Sequence, residues 1–195
     1  MLTTLTTLKS RLGIDAFDVK DDTVLTNFIL LVSARFESVC NRKFGYAENV
    51  TDEFQGDETQ LRVSRYPIDE TRTISFSRLT RASDGWQAVN DAEYVLRQGC
   101  VISLAWEIGS AREQLRVQYS GGYVLPGNTG GAGQVALPDE VQQSCVEQCA
   151  YLFQNKDRLG LTLVAQEGGR IQQFGELDLL PSVKGVLRGY ETLMC

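Results

Sequence analysis

Apolar positions change their period twice along this chain of 195 residues, from helical to alternating and back to helical. Leu2, Leu5, Leu8 and Leu12 recur at helical spacing, threonines stand nearby as caps, and Gly13 closes the run, which predicts a short first helix. Asp21-Asp22-Thr23 opens a longer segment whose Leu25, Phe28, Ile29, Val32, Phe36, Val39 and Cys40 form one stripe. The acidic pair lies at the positive end of that helix's dipole. From Ala47 the period is two, and strands are predicted over residues 50–54, 60–64, 72–78, 94–96, 101–105 and 115–120. Short strands in succession predict an antiparallel sheet. Pro67 within Arg65-Tyr-Pro-Ile68 cannot donate to a ladder and marks a break. Asp84-Gly85 and Gln98-Gly99 read as turns, and Gly121-Gly122 ends the last strand.

The helical period returns at Pro138-Asp139-Glu140, the composition of a first turn, and Val141, Cys145, Cys149 and Leu152 carry it to about residue 157, with Val146, Ala150 and Phe153 flanking. Residues 162–174 alternate around Gly168-Gly169 and are expected to form a hairpin or projecting arm. Pro181-Ser182 begins a last helix with Val183, Val186, Leu187, Tyr190, Leu193 and Met194 on one stripe, and a bare apolar face at a chain end needs a partner. Gly127 to Gly133 offers almost no side chain able to pack, so residues 125–136 are expected to be a flexible glycine-rich loop. The expected fold class is α+β. A helical bundle core of about four helices (residues 1–45 and 137–195) would carry an antiparallel β-sheet region (46–124) inserted between the second and third helices.

Composition narrows the chemistry. The longest apolar runs, 28–32 and 149–153, fall far short of the roughly 20 residues that cross a bilayer, and the N-terminus lacks a secretory pattern, so no membrane partner and a cytoplasmic origin are expected. Five scattered cysteines suit reduced thiols better than a disulfide framework. A formal charge of -6 without a basic run predicts at most weak, non-specific contact with DNA.

Histidine is absent, which removes the commonest general base and every Ser-His or Cys-His nucleophile, so the reading is not an enzyme, without cofactor or metal. The carboxylate pairs Asp21-Asp22, Asp52-Glu53, Asp57-Glu58, Asp69-Glu70 and Asp139-Glu140 put neighbours on different faces, as solvated turns and helix starts do. A carboxylate-based metal-dependent hydrolase, the competing class, would need Asp52, Asp57 and Asp69 to converge. Cys145 and Cys149 are one helical turn apart but match the apolar stripe and lack a second pair to complete a tetrahedral site. Gly131-Ala-Gly-Gln-Val-Ala136 nominally matches a dinucleotide fingerprint, yet acids follow where a pyrophosphate would sit. Arg62, Arg65, Arg72, Arg78 and Arg81 read as the polar outer face of a sheet.

The stretch Leu115-Arg-Val-Gln-Tyr-Ser-Gly-Gly-Tyr-Val-Leu-Pro126, with its Tyr-x-Gly-Gly-Tyr turn, loop and Leu137-Pro-Asp helix start, resembles the C-terminal half of the head-to-tail connector (adaptor, head completion) family of tailed bacteriophages. Thr3-Thr-Leu-Thr-Thr-Leu-Lys-Ser-Arg-Leu-Gly-Ile14 and Asp21-Asp-Thr-Val-Leu25 are similar to that family's first helix and its entry to the second. Phe36-Glu-Ser-Val-Cys-Asn-Arg-Lys-Phe44 resembles the end of that helix, and Tyr66-Pro-Ile68 the element before a strand. The sheet-forming residues depart from the shortest members and match the insertion of longer ones. The resemblance implies a structural virion protein at the head-tail neck, assembled in the bacterial host cytoplasm. It further implies a homo-oligomeric, commonly dodecameric, ring that binds the portal protein and a tail-side stopper or tail-terminator protein, and that lets double-stranded DNA pass through its lumen. A tail-terminator or stopper ring protein is the alternative. Under that resemblance Val183, Val186, Leu187, Tyr190, Leu193 and Met194 are the candidate portal or subunit interface.

Overall fold

Thr4 accepts the Thr7 N–H at 3.2 Å, and Gly13, left-handed at φ 70°, returns its N–H to the last turn; between these caps lies α1 (Leu5–Leu12), as its leucine spacing predicts. The computed structural model describes residues 1–156, 163–165, 171–173 and 178–191. Among them are four helices and mostly antiparallel strands, a mixed α and β fold. The chain divides into two compact units, residues 1–40 with 138–195, and residues 41–137.

In the helical unit, α2 (Asp22–Val39) buries Leu25, Ile29, Val32 and Phe36, four residues of its predicted stripe. α3 (Asp139–Gln154) packs against the other three helices and buries Val141, Cys145, Val146, Cys149, Ala150 and Leu152. It stops short of residue 157 at Asn155, whose backbone leaves the helical region at φ -109° and ψ 17° and whose side-chain amide donates to the Tyr151 carbonyl at 2.8 Å. α4 (Pro181–Arg188) starts on a proline at its first position and ends at Gly189. Tyr190 therefore lies beyond the helix, and Leu193 and Met194 lie outside the described residues. Leu2 is tied in by its N–H to the Ser33 hydroxyl at 3.0 Å.

The second unit holds β1 (Ala47–Gln55), β2 (Gln60–Arg62), β3 (Ser75–Leu79), β4 (Gln87–Val89), β5 (Tyr94–Arg97), β6 (Val101–Leu104) and β7 (Gln114–Gly121). They form two antiparallel sheets, ordered β1-β7-β3-β4 and β2-β6-β5. One core joins them, with Leu61 and Ile102 from the smaller sheet, and Val63 just past β2, meeting Phe76, Leu115, Val117 and Tyr119 from the larger. Burying each such side chain contributes about 1.5–3 kcal/mol. β3 begins three residues later than its alternation predicts, because Asp69 folds residues 69–72 into a turn by accepting the Thr71 N–H on its carboxylate and the Arg72 N–H on its carbonyl. Gln98 and Gly99, both left-handed at φ 52° and 65°, make the predicted turn from β5 to β6. Past Gly122 the chain continues as β8 (Tyr123–Val124), which pairs in parallel with β9 (Val135–Ala136) across the glycine-rich loop. These three-residue and two-residue strands, β4, β8 and β9, carry too little alternation to be predicted.

β10 (Leu163–Ala165) and β11 (Ile171–Gln173) pair antiparallel with each other, as the expected hairpin, and the rest of 162–174 lies outside the described residues.

Candidate assembly surfaces

The carboxylates nominated for metal chemistry serve separate local networks. Asp52 on β1 accepts the Tyr119 hydroxyl at 2.8 Å, the Ser64 N–H at 2.7 Å and the Ser64 hydroxyl at 2.8 Å. Burial raises the Tyr119 hydroxyl well above the usual phenol range, and the Asp52 charge adds to it, so the phenol stays a neutral donor. Asp69 is buried and accepts the Tyr46 hydroxyl at 2.9 Å and the Thr71 hydroxyl at 2.6 Å. Burial alone would raise its carboxyl; the Thr71 and Tyr46 hydroxyls, the Thr71 amide and the Arg72 charge outweigh it and hold the group below its ordinary 3.8. Asp57 lies exposed in the turn after β1. Among the described residues no three carboxylates or thiols gather into a group that could hold a metal ion.

Three of the sheet's arginines are occupied by partners. Arg72 meets Glu48 at 2.8 Å, Arg78 donates to the Ile108 carbonyl at 3.1 Å beside Glu113, and Arg65 donates to the Gly45 carbonyl. Arg62 and Arg81 are exposed. In the helical unit Cys145 and Cys149 are fully buried, and a hydrogen bond between the two thiols, with burial, drives Cys149 upward in pKa and leaves it unreactive. Gly133 of the fingerprint-like run holds φ 80° with its Cα against Asp69 and Thr71, where a Cβ would stand 2.6 Å from either side chain. Its glycine serves packing on that carboxylate.

The last stripe is divided by depth. Val183 and Leu187 are fully buried inside the helical unit, and the Leu187 carbonyl accepts the Cys40 thiol at 3.8 Å. Val186 and Tyr190 are half-buried, and the Tyr190 hydroxyl donates to Glu140. The segment leading into α4 is fixed by buried Gln148, whose amide donates to the Asp178 carbonyl at 3.3 Å and accepts the Leu180 N–H at 2.9 Å. An all-apolar stripe on α3 hid that role, although Gln148 interrupts the stripe one turn before Leu152.

A second apolar surface escaped the sequence reading. Phe17 is 92% exposed and Val19 72% exposed in the loop between α1 and α2, and on α2 itself Leu30 and Leu31 are 51% and 59% exposed. The outward positions Thr23, Val24, Asn27, Leu30, Leu31, Ala34, Arg35 and Ser38 hold one charge among them. Exposed helix faces are ordinarily charged, and depletion of charge is what marks interface cores. The signal in the sequence was an aromatic residue set between acids, Asp15-Ala-Phe-Asp18.

The fold is shared with chains of a gene transfer agent particle. A chain of the neck of an empty particle, computed with C6 symmetry, superposes with a TM-score of 0.58 at 12% identity over 98% of this chain and 90% of its own. A chain of the native virion gives 0.54 at 13% identity over 98% and 90%, and one from the neck of the native particle, computed with C12 symmetry, gives 0.52 at 13% over 98% and 92%. No family model matches the sequence, and no curated protein matches it. The likeness is one of fold, and it runs the length of the chain.

Proposed function

We propose that this chain is a structural subunit of the neck of a phage-like particle, a head-tail adaptor that forms a ring between portal and tail and extends the DNA channel. The observation that carries the reading is the fold shared over 98% of the chain with neck chains solved under C6 and C12 symmetry. The order of sequence elements independently supports it. In this reading the helical unit is the connector core and residues 41–137 are its insertion, and the chain breaks no bond. Twelve copies would carry 12 × -6 = -72 formal charges, which favours sliding over capture of double-stranded DNA.

Portal docking falls to the open part of the last stripe, Val186 and Tyr190, together with Leu193 and Met194. Deleting residues 181–195 would remove Val183 and Leu187 from the core, so a single change is the better probe. Native mass spectrometry of the full chain with purified portal and, separately, with tail tube tests the role. A ring on the portal, lost in Val186→Asp, is the expected result. Binding to tail tube alone would assign the chain to the stopper or tail-terminator class, and electron microscopy that finds no copy at the particle neck would reject the reading.

A further inference from the structure

The loop between α1 and α2 is built to hold one aromatic side chain in water. Lys9 is only 3% exposed, and its ammonium donates to the Ala16 and Asp18 carbonyls at 3.2 and 2.7 Å while pairing with Asp22 at 2.5 Å. The Asp15 carboxylate accepts the Phe17 N–H at 2.8 Å, and the Asp18 carboxylate accepts the Lys20 N–H at 3.1 Å. A buried lysine with three partners fixes the backbone on both sides of Phe17, yet the ring itself touches almost nothing. Nothing in the subunit's own stability asks for that arrangement, because fixing a loop is entropically unfavourable and an exposed ring gains no burial. Pre-organised aromatic anchors are how protein interfaces limit the entropy of binding.

The same unit carries a matching recess. A groove of about 260 Å³ is lined by Leu31, Val32, Leu152 and Leu179, with Gln148, Arg35 and Asp178 completing it. It is smaller than the roughly 300–1,000 Å³ of small-molecule sites and suits a single large side chain. Its one polar liner from α3, Gln148, already has its hydrogen bonds met by the Asp178 carbonyl and the Leu180 N–H. The groove's one acid, Asp178, is held by Lys184 at 2.6 Å and reaches Arg35 only at 3.8 Å on the surface, so that second pair is weak enough to exchange and two cations stand beside one carboxylate. The anchor Phe17 is bracketed by two acids, Asp15 and Asp18, so ring and flanking charge both complement groove and rim.

Resting on the proposed ring only for the premise that copies meet, we infer that Phe17 of one copy inserts into the Leu31–Val32–Leu152–Leu179 groove of the next, with Arg35 facing Asp15 or Asp18. Anchor and groove are different patches of one chain, so the contact can repeat head-to-tail around a ring, each copy giving its anchor to one neighbour and its groove to the other.

The test places photo-reactive benzoylphenylalanine at position 17 of the full chain, both in assembled particles and in concentrated purified protein. The expected product joins two copies, with the attachment mapped to Leu31, Leu152 or Leu179 of the second copy, and it disappears in Leu31→Glu. Phe17→Ala is expected to leave the melting temperature unchanged and to weaken self-association by at least about tenfold. Attachment to a portal or other protein, attachment elsewhere on the second copy, no copy-to-copy product in either sample, or unchanged association of Phe17→Ala would each overturn the inference. A groove-mapped product from a chain absent from particle necks would uphold this contact and reject the neck role; a neck ring whose copies join elsewhere would do the reverse.

Discussion

Single side chains decide three local structures, and each can be tested alone. Lys9→Ala should cost about 2–3 kcal/mol, since it strands Asp22 and two carbonyls. Urea denaturation gives the loss, and amide exchange should quicken across residues 15–19. Tyr119→Phe removes the donor to Asp52 and the acceptor of the Arg65 N–H at 3.0 Å, for about 1–2 kcal/mol. Asp69 has its carboxyl lowered from 3.8 by folding, so its contribution is fully present above that value and is lost as pH falls through the lowered one. Asp69→Asn should therefore be less stable than the parent at pH 7, by about 1–3 kcal/mol, with the gap closing as denaturation is repeated at lower pH. A smaller gap at pH 7 than at pH 3 would contradict the assignment. Such residues were poorly legible in the sequence, because Lys9 and Gln148 look like surface polar residues and only their partners, 7 to 32 positions away, show that they are buried.

Elements were far more legible, and the reason is periodicity. The stripe on α2 and the alternation of β7 each extend over enough residues to separate one face from the other, and both lie where their patterns put them. The last helix shows the limit of the same argument. Val183, Val186 and Leu187 of its stripe lie on the helix, but periodicity cannot say whether an apolar face meets the chain's own core or another molecule, and Val183 and Leu187 meet the core. Leu187→Ala should accordingly destabilise by about 2–4 kcal/mol in thermal or urea unfolding of the isolated chain. Gly185, in the same helix, has open space where a Cβ would go, so Gly185→Ala should stabilise by about 0.5–1 kcal/mol. Loss of stability there would mean that the glycine is needed within the subunit.

At the scale of the molecule, two units each enclose buried side chains of their own, residues 1–40 with 138–195 in one and 41–137 in the other. Unfolding need not be a single transition in such a chain. Calorimetry should show that Leu187→Ala lowers the helical unit's transition and Tyr119→Phe the sheet unit's, and equal shifts of one common transition would show that the two cores melt as one. The sequence could point to both units because helical and alternating periods occupy separate stretches. It could not point to the groove, whose Leu31, Leu152 and Leu179 are far apart in the chain and are brought together by folding alone. One consequence of the helical core concerns ageing. Cys40, Cys145 and Cys149 have no exposed surface, while Cys100 is partly open. Among the cysteines of the described residues, peroxide or an alkylating reagent should mark Cys100 before Cys40, Cys145 and Cys149, which stay intact for as long as the helices stay closed, so chemical damage to this core keeps time with its spontaneous opening and not with the strength of the oxidant outside.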